Sequence, residues 1–183
     1  MSLTIVLGPM FSGKSSYLLS SIRRFKEIDW STYIITSNLD KRYTTESKIV
    51  NHNQEYAVAD ASVKDLNIIR DKKEYLESKV IIIEEAQFFS DLVEFVIEAV
   101  EVYEKHVIIA GLDGDASRKP FGKILELIPY ADSIVKLKAL CKKCGDGNEA
   151  LFTSKKTHDL ATVDIGGSDK YEALCRKHYI AYN

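Results

Sequence analysis

A segment near the start of the chain has the residue types and the spacing of a site that holds a triphosphate. Residues 8–15 read GPMFSGKS and fit the pattern G-x-x-x-x-G-K-S. Gly8 and Gly13 let the backbone wrap a phosphate with its N–H groups pointing inward, and the next helix adds the positive end of its dipole. Lys14 would neutralise phosphate charge, and the Ser15 hydroxyl would bind Mg²⁺. The pattern predicts nucleotide binding but does not say which molecule receives the terminal phosphate.

Two adjacent acids, Glu84 and Glu85, follow the apolar run VIII at residues 80–83. Since a buried strand is predicted to end there, Glu84 is expected to hold Mg²⁺ through a water, and Glu85 is expected to reach toward the γ-phosphate. A carboxylate in that position can accept a proton from an attacking hydroxyl, so we predict that Glu85 is a general base. The alternative is that both acids only favour the start of a helix.

The cysteines form part of two further motifs. Cys141 and Cys144 make a C-x-x-C pair, and Cys175 and His178 make a C-x-x-H pair about thirty residues later. Two such pairs supply four N and S ligands with the tetrahedral geometry of structural Zn²⁺. The set is complete, so no position is left for a catalytic water. A redox C-x-x-C is the alternative, although it would need no distant Cys–His partner.

The elements that must position these residues are predicted from hydrophobic patterning. Apolar runs predict strands at residues 3–7, 31–37, 80–84, 106–111 and 133–140, with two short strands within residues 40–60. Helical spacing predicts helices over residues 14–28, 63–78 and 92–103. Strands that are apolar on both faces and alternate with helices predict an α/β fold with a parallel sheet covered by helices on both faces. The alternation stops after Leu140. We therefore predict a nucleotide-binding domain over residues 1–140 and a zinc-binding domain over residues 141–183.

Composition narrows the classes of partner. The chain has 183 residues, of which 45% are hydrophobic, which suits one compact domain with a small appendage. Its 25 Lys and Arg against 27 Asp and Glu give a net charge of −2, which argues against a nucleic-acid partner. No apolar run approaches the roughly 18 residues of a membrane span, and no secretory signal precedes the first strand. We expect a cytoplasmic protein without a membrane or nucleic-acid partner.

Six motifs in order make the chain resemble the zinc-containing (type II) thymidine kinases. They are the phosphate loop, EEAQFF (84–89), GLDG with RKPFG (111–122), CKKC (141–144), GGSDKY (166–171) and CRKH (175–178). The resemblance implies a P-loop domain related to the RecA-like group, with a small C-terminal zinc-binding domain that carries a lasso loop. It also implies transfer of the γ-phosphate of ATP to the 5′-hydroxyl of thymidine or deoxyuridine in nucleotide salvage. ATP, Mg²⁺ and structural Zn²⁺ would be the cofactors, and the chain would form a homotetramer or homodimer.

The resemblance also assigns residues to the two substrates. The ATP- and phosphate-binding residues would be Gly8, Pro9, Met10, Phe11, Ser12, Gly13, Lys14, Ser15, Arg42, Glu84 and Gln87. The nucleoside-binding residues would be Met10, Phe88, Leu112, Arg118, Phe121, Thr162, Val163, Asp164, Ile165, Gly166 and Tyr171. In this assignment an apolar wall takes the thymine methyl group, while residues 162–166 offer backbone groups to the base and the lasso closes over it with Tyr171. His52 matches a histidine of the family's mobile segment.

Two positions depart from the family pattern. Glu84 stands where the family usually has Asp, and Ala116 stands where relatives usually carry an aromatic residue. The longer Glu84 side chain changes the reach of the Mg²⁺-site carboxylate but keeps its charge, and Ala116 is expected to loosen the nucleoside pocket.

Two other functions stay open on sequence alone. They are a RecA-like ATPase that acts on nucleic acid and a non-catalytic nucleotide sensor.

Overall fold

The computed structural model describes residues 1–39, 48–51, 53–156 and 166–182. Within these ranges the strands are β1 (Ser2–Leu7), β2 (Thr32–Ser37), β3 (Lys48–Val50), β4 (Tyr56–Val58), β5 (Ala61–Val63), β6 (Val80–Ile83), β7 (His106–Gly111), β8 (Ser133–Lys136), β9 (Ala139–Leu140), β10 (Glu149–Ala150), β11 (Phe152–Lys155) and β12 (Tyr171–Leu174). The α-helices are α1 (Lys14–Lys26), α2 (Lys73–Glu77), α3 (Leu92–Glu101) and α4 (Arg176–Tyr182). Short 3₁₀ helices occupy Leu66–Ile69, Ala86–Phe88 and Ile124–Tyr130.

The main sheet has six strands in the order β5-β2-β6-β7-β1-β8, and every neighbouring pair is parallel. Because the strands are parallel, their carboxyl ends share one edge. Leu7 of β1 lies opposite Gly111 of β7 and Lys136 of β8 at that edge. The phosphate loop, the two acids after β6 and the residues after β7 therefore emerge side by side, as the ligand-binding edge of such folds requires.

Alternate residues of the strands build a core on each face of the sheet. On one face Ile5, Ile81 and Ile109 pack against α3 and the 3₁₀ helices. On the other face Val6, Ile82 and Ile108 pack against α1 and the β3–β4 hairpin. The predicted α/β fold, with a parallel sheet covered on both faces, is confirmed.

A smaller module follows the main sheet. Strands β9 and β10 form one antiparallel pair, β11 and β12 form another, and α4 closes the module around a core that includes Ala150, Leu174 and Tyr179. The boundary at residue 140 stays a prediction, although β9 lies before it and pairs with β10 beyond it. In the described ranges no helix has both the length and the apolar composition that crossing a bilayer would need.

Two element predictions were wrong. The helix expected over residues 63–78 is instead the end of β5, a 3₁₀ turn and the short helix α2. Asp65 starts the 3₁₀ turn by accepting the Asn67 N–H at 3.0 Å, and β5 is held by its pairing with β2. The strand expected over 133–140 divides between the main sheet and the small module. Tertiary pairing decided both outcomes, and local periodicity does not report it.

Candidate active site

The phosphate loop joins β1 to α1 through three residues with positive φ. They are Gly8 (φ 156°), Phe11 (φ 65°) and Gly13 (φ 87°). Glycine is required at position 8 because a Cβ there would lie 2.7 Å from the backbone oxygen of Leu137. Lys14 Nζ donates to the carbonyl oxygens of Gly8 at 3.2 Å and Pro9 at 2.9 Å. The loop therefore holds an ammonium group and a helix N-terminus at one point, which is an arrangement that attracts phosphate.

Two observations show that the loop suits a nucleotide with its metal. The buried Ser12 Oγ finds no hydrogen-bond partner among the residues that the structure describes, so it is open to a ligand oxygen. The Ser15 hydroxyl donates to Oε1 of Glu84 at 2.6 Å, which places two hard oxygen ligands together at the carboxyl end of β6. Oxygen pairs of this kind are the ligands that Mg²⁺ prefers beside substrate phosphates.

Glu85 has a backbone conformation that is rare for a residue with a side chain. Its φ is +53°, in the left-handed region, and the 3₁₀ helix Ala86–Phe88 follows directly. Gln87 Nε2 donates to Oε2 of Glu85 at 2.6 Å, while Gln87 Oε1 accepts the backbone N–H of Leu112 at 3.0 Å. Non-glycine residues in this region are enriched at functional sites, where the surrounding structure holds them in place.

A cleft of about 330 Å³ opens in front of these groups. It is lined by loop and helix residues 10–16, by Glu84 and Glu85, by Ala110 and Leu112, and by Val50, Asn51 and Gln54 of the β3–β4 hairpin. The structure therefore brings the predicted residues Met10, Lys14, Ser15 and Leu112 together with both acids. The hairpin residues were not predicted. Their sequence is polar and irregular, and only the fold places it against the phosphate loop.

The remaining predicted residues lie outside this cleft or outside the described ranges. Phe88 and Phe121 pack edge to face with ring centroids 5.6 Å apart, and Gln87 is only 3% exposed. The Arg118 guanidinium lies 4.6 Å from the ring centroid of Tyr179. Gly166 precedes β12, and Tyr171 begins it. The residues outside the described ranges are Arg42, His52, Thr162, Val163, Asp164 and Ile165. The nucleoside- and phosphate-binding roles of all these residues stay predictions.

The four predicted zinc ligands converge in the small module. Nδ1 of His178 lies 3.5 Å from the Sγ atoms of Cys141 and Cys175 and 3.3 Å from that of Cys144, and the Sγ atoms of Cys144 and Cys175 are 3.8 Å apart. A tetrahedral Zn²⁺ site with usual bond lengths has S–S edges of about 3.8 Å and S–N edges of about 3.6 Å. All three cysteines are free of disulfides. The geometry therefore fits zinc with four protein ligands.

Two further donors support the sulfur atoms. The Cys175 backbone N–H points to the Sγ of Cys141 at 3.3 Å, and Asn148 Nδ2 lies 3.4 Å from the Sγ of Cys144. Donors of this kind stabilise thiolate ligands. Asn148 belongs to no recognised motif, so this contact could not be predicted from the sequence.

The small module also touches the phosphate loop directly. The Met10 backbone N–H donates to Oγ1 of Thr153 at 2.9 Å, although the two residues are 143 positions apart. The neighbouring Phe11 packs against the core of the module, and the Tyr179 hydroxyl donates to the carbonyl of Ala116. An aromatic residue of the small module thus contacts the backbone at Ala116.

The sequence matches known proteins over most of its length. The family model named Thymidine kinase matches residues 1–179. The chain is 41% identical to thymidine kinase a of Arabidopsis thaliana over 96% of its own length and 74% of that protein. It is also 41% identical to the cytosolic thymidine kinase of Homo sapiens, over 96% of its own length and 71% of that protein. Against the thymidine kinase of Vaccinia virus (strain Western Reserve) the identity is 38%, over 96% of this chain and 95% of the viral protein. This chain belongs to the thymidine kinase family.

Proposed function

We propose that this chain is an ATP-dependent thymidine kinase that phosphorylates the 5′-hydroxyl of thymidine or deoxyuridine in nucleotide salvage. Membership of the family supports the reaction class. The observation that carries the proposal is that Glu85 lies in one cleft with the phosphate loop and the Ser15–Glu84 pair. A carboxylate beside a phosphate site, and separate from the metal-site oxygens, is what transfer to an alcohol needs.

The loop and the metal-site pair would bind the triphosphate. Backbone N–H groups of the loop and the N-terminus of α1 would hold the phosphate oxygens, and Ser12 would supply a hydroxyl. Lys14 would leave the carbonyls of Gly8 and Pro9 and move to the β- and γ-phosphates. Ser15 and Glu84 would hold Mg²⁺, which neutralises charge on the phosphates when it is bound. In this proposal Arg42 and Arg118 would offset further phosphoryl charge.

Glu85 would act on the acceptor. As the 5′-oxygen of the nucleoside forms a bond to the γ-phosphorus, the bond from that phosphorus to the β–γ bridging oxygen breaks, and ADP leaves. The proton of the 5′-hydroxyl passes to the Glu85 carboxylate. The enzyme therefore contributes position and charge, and no covalent intermediate with the protein is required.

The base would lie beyond the sugar, against an apolar wall. Met10 and Leu112 line the cleft, and in this proposal Phe88 and Phe121 extend the wall. Residues 162–166 and Tyr171 would close over the base, held by the zinc-bearing module. We further infer a structural role for Zn²⁺, since its four predicted ligands leave no position for a catalytic water. Family resemblance implies a homotetramer or homodimer. A cytoplasmic location is inferred because several relatives are named as cytosolic.

A label-transfer assay tests the proposal. The purified protein is incubated with Mg²⁺ and γ-³²P-ATP in the presence of thymidine, deoxyuridine, deoxycytidine or deoxyadenosine, and labelled monophosphates are separated. We expect transfer to thymidine and deoxyuridine. Hydrolysis of ATP that is stimulated by DNA, without a labelled nucleoside, would instead favour a nucleic-acid-dependent ATPase, and ATP binding without turnover would favour a sensor. Belonging to the thymidine kinase family favours neither of these alternatives.

A further inference from the structure

We propose that Gln87 is a positioning residue for the Glu85 carboxylate, and this inference rests on the proposed role of Glu85 as general base. Gln87 is 3% exposed and does not line the cleft. Its side-chain amide lies between two groups, the Glu85 carboxylate at 2.6 Å and the Leu112 backbone N–H at 3.0 Å. In this proposal, which replaces the direct phosphate contact predicted from the sequence, Gln87 acts on the reaction through Glu85.

The orientation of the amide follows from the Leu112 contact. A backbone N–H can only donate, so the Gln87 atom that faces Leu112 must be the carbonyl oxygen Oε1. The other end of the amide is then the NH₂ group, and it must face Glu85. A carboxylate accepts from that group, which makes the 2.6 Å contact a charge-assisted hydrogen bond. The Leu112 N–H at the end of β7 thus sets which end of Gln87 meets Glu85.

Two glycines from different motifs enclose Gln87. A Cβ on Gly111 would lie 2.6 Å from Gln87 Oε1, and a Cβ on Gly122 would lie 2.1 Å from the Gln87 backbone oxygen. Gly122 also has a φ of +61°, so a side chain there is disfavoured both by the clash and by the backbone conformation. The glycines of GLDG and RKPFG therefore let the chain close tightly around the amide, which leaves Gln87 little freedom to turn away from Glu85.

Glu85 needs such a restraint because of its backbone. It has a left-handed conformation (φ +53°) directly after β6, at the start of the 3₁₀ helix in which Gln87 lies, and the side chains of the two residues meet there. A strained residue keeps its conformation only when its surroundings hold it. Displacement of a reacting group by about 1 Å can lower a rate by about 100-fold. A fixed Gln87 therefore keeps Glu85 aimed at the position of the attacking hydroxyl.

Two substitutions of nearly equal volume test the proposal. Gln87→Met removes both hydrogen bonds, and Gln87→Glu leaves an acceptor for Leu112 but places a second carboxylate beside Glu85. We expect kcat for label transfer to thymidine to fall by about 10- to 100-fold in Gln87→Met and further in Gln87→Glu. The KM values for ATP and thymidine, and the Kd for ATP, are expected to change much less. A substitution that only impaired folding would not lower kcat while leaving KM and Kd nearly unchanged.

A double substitution asks whether Gln87 acts through Glu85. In a Glu85→Gln background there is no base to position, so adding Gln87→Met is expected to have little further effect on single-turnover transfer. Equal fold-losses in both backgrounds would overturn the proposal, as would a wild-type kcat in Gln87→Met. If the unsubstituted protein transfers no label to any nucleoside, the proposed function fails instead, and the two failures are distinguishable.

An NMR measurement covers the case in which Gln87→Met does not fold. The side-chain NH₂ protons of Gln87 in the unsubstituted protein are expected to resonate downfield and to exchange slowly with solvent, because one of them is held by a carboxylate. In Glu85→Gln they are expected to move upfield. Side-chain amide protons with the shift and exchange rate of an exposed glutamine would contradict the proposal.

Discussion

The Ser15 hydroxyl and the Glu84 carboxylate lie 2.6 Å apart, although one opens α1 and the other follows β6. The parallel order of the sheet makes this possible, because β1 and β6 both flank β7 and end at the same edge. A helix start and a strand end thus supply one oxygen each to the same point. Neither residue forms this site alone.

This pairing predicts how the two residues share magnesium. Ser15→Ala and Glu84→Gln are each expected to raise the Mg²⁺ concentration that gives half-maximal activity by about 10- to 100-fold, the range of one lost bond to a charged group. The double variant is expected to lose less than the product of the two single losses, since each substitution already disrupts the shared site. Titration of activity with Mg²⁺ at saturating ATP measures the effect. Ser20→Ala, an exposed position of the same helix, is the control, and additive losses would argue for separate roles.

Glu85→Gln tests the general base. The amide keeps the size of the side chain but cannot take the proton of the nucleoside hydroxyl, so turnover is expected to fall by at least roughly 100-fold. The Kd for ATP is expected to stay close to that of the unsubstituted protein, because the proposed metal-site oxygens are those of Ser15 and Glu84, which the substitution keeps. Steady-state kinetics and a nucleotide-binding titration give both values. Glu101→Gln, an exposed acid on α3, controls for loss of charge, and near-normal turnover in Glu85→Gln would refute the assignment.

The parts of the site that the sequence revealed are those encoded by contiguous residues. The loop from Gly8 to Ser15 needs only a strand before it and a helix after it, and Glu84 with Glu85 needs only a strand that ends. The four predicted zinc ligands, Cys141, Cys144, Cys175 and His178, were recognisable for the same reason, because C-x-x-C and C-x-x-H pairs keep a fixed local spacing. Parallel strands rich in β-branched residues also appear in the sequence as apolar runs, so the main sheet was predictable.

Other parts depend on contacts between distant residues. Thr153 meets the Met10 backbone across 143 positions, and nothing near Thr153 in the sequence indicates this. Asn51 lines the cleft because its side chain accepts the Asn53 and Glu55 N–H groups at 3.0 Å and so shapes the β3–β4 turn. The inward orientation of Gln87 follows from a left-handed residue at Glu85, which a side-chain pattern does not predict. Tertiary placement of backbone groups is the information that single-sequence patterns lack.

The pH dependence of stability is expected to involve His106 at the start of β7. Its ring lies against Trp30 with centroids 4.9 Å apart, and burial lowers the pKa of His106 below 6.5, with help from the N-terminal ammonium and against the opposing effect of Asp132. The unfolded chain therefore binds this proton at a higher pH than the folded chain does. Stability is expected to rise with pH through the interval between the folded pKa and 6.5, and to be lost as the pH falls through it.

His106→Asn isolates this contribution. The variant carries no proton at position 106, so its Tm is expected to depend less on pH below about 6.5 than that of the unsubstituted protein. Thermal melts across about pH 5 to 8 provide the comparison, and subtracting the two curves removes the other titrating groups. A difference curve that is flat, or that slopes the other way, would show that His106 does not destabilise the fold when it is protonated.

Zinc should couple the small module to the phosphate loop. Cys175→Ser removes one of four ligands, so we expect loss of zinc measured by atomic emission. Loss of a metal site belongs to the large destabilisations of about 4 kcal/mol or more, which in a chain of this size corresponds to a Tm lower by about 8–16 °C. Because Thr153 and the module core contact Met10 and Phe11, the KM for ATP is expected to rise as well. Lys142→Ser, an exposed non-ligand between the first two cysteines, is expected to keep zinc, Tm and KM. A zinc-free Cys175→Ser protein with an unchanged KM for ATP would show that the loop keeps its conformation without the metal.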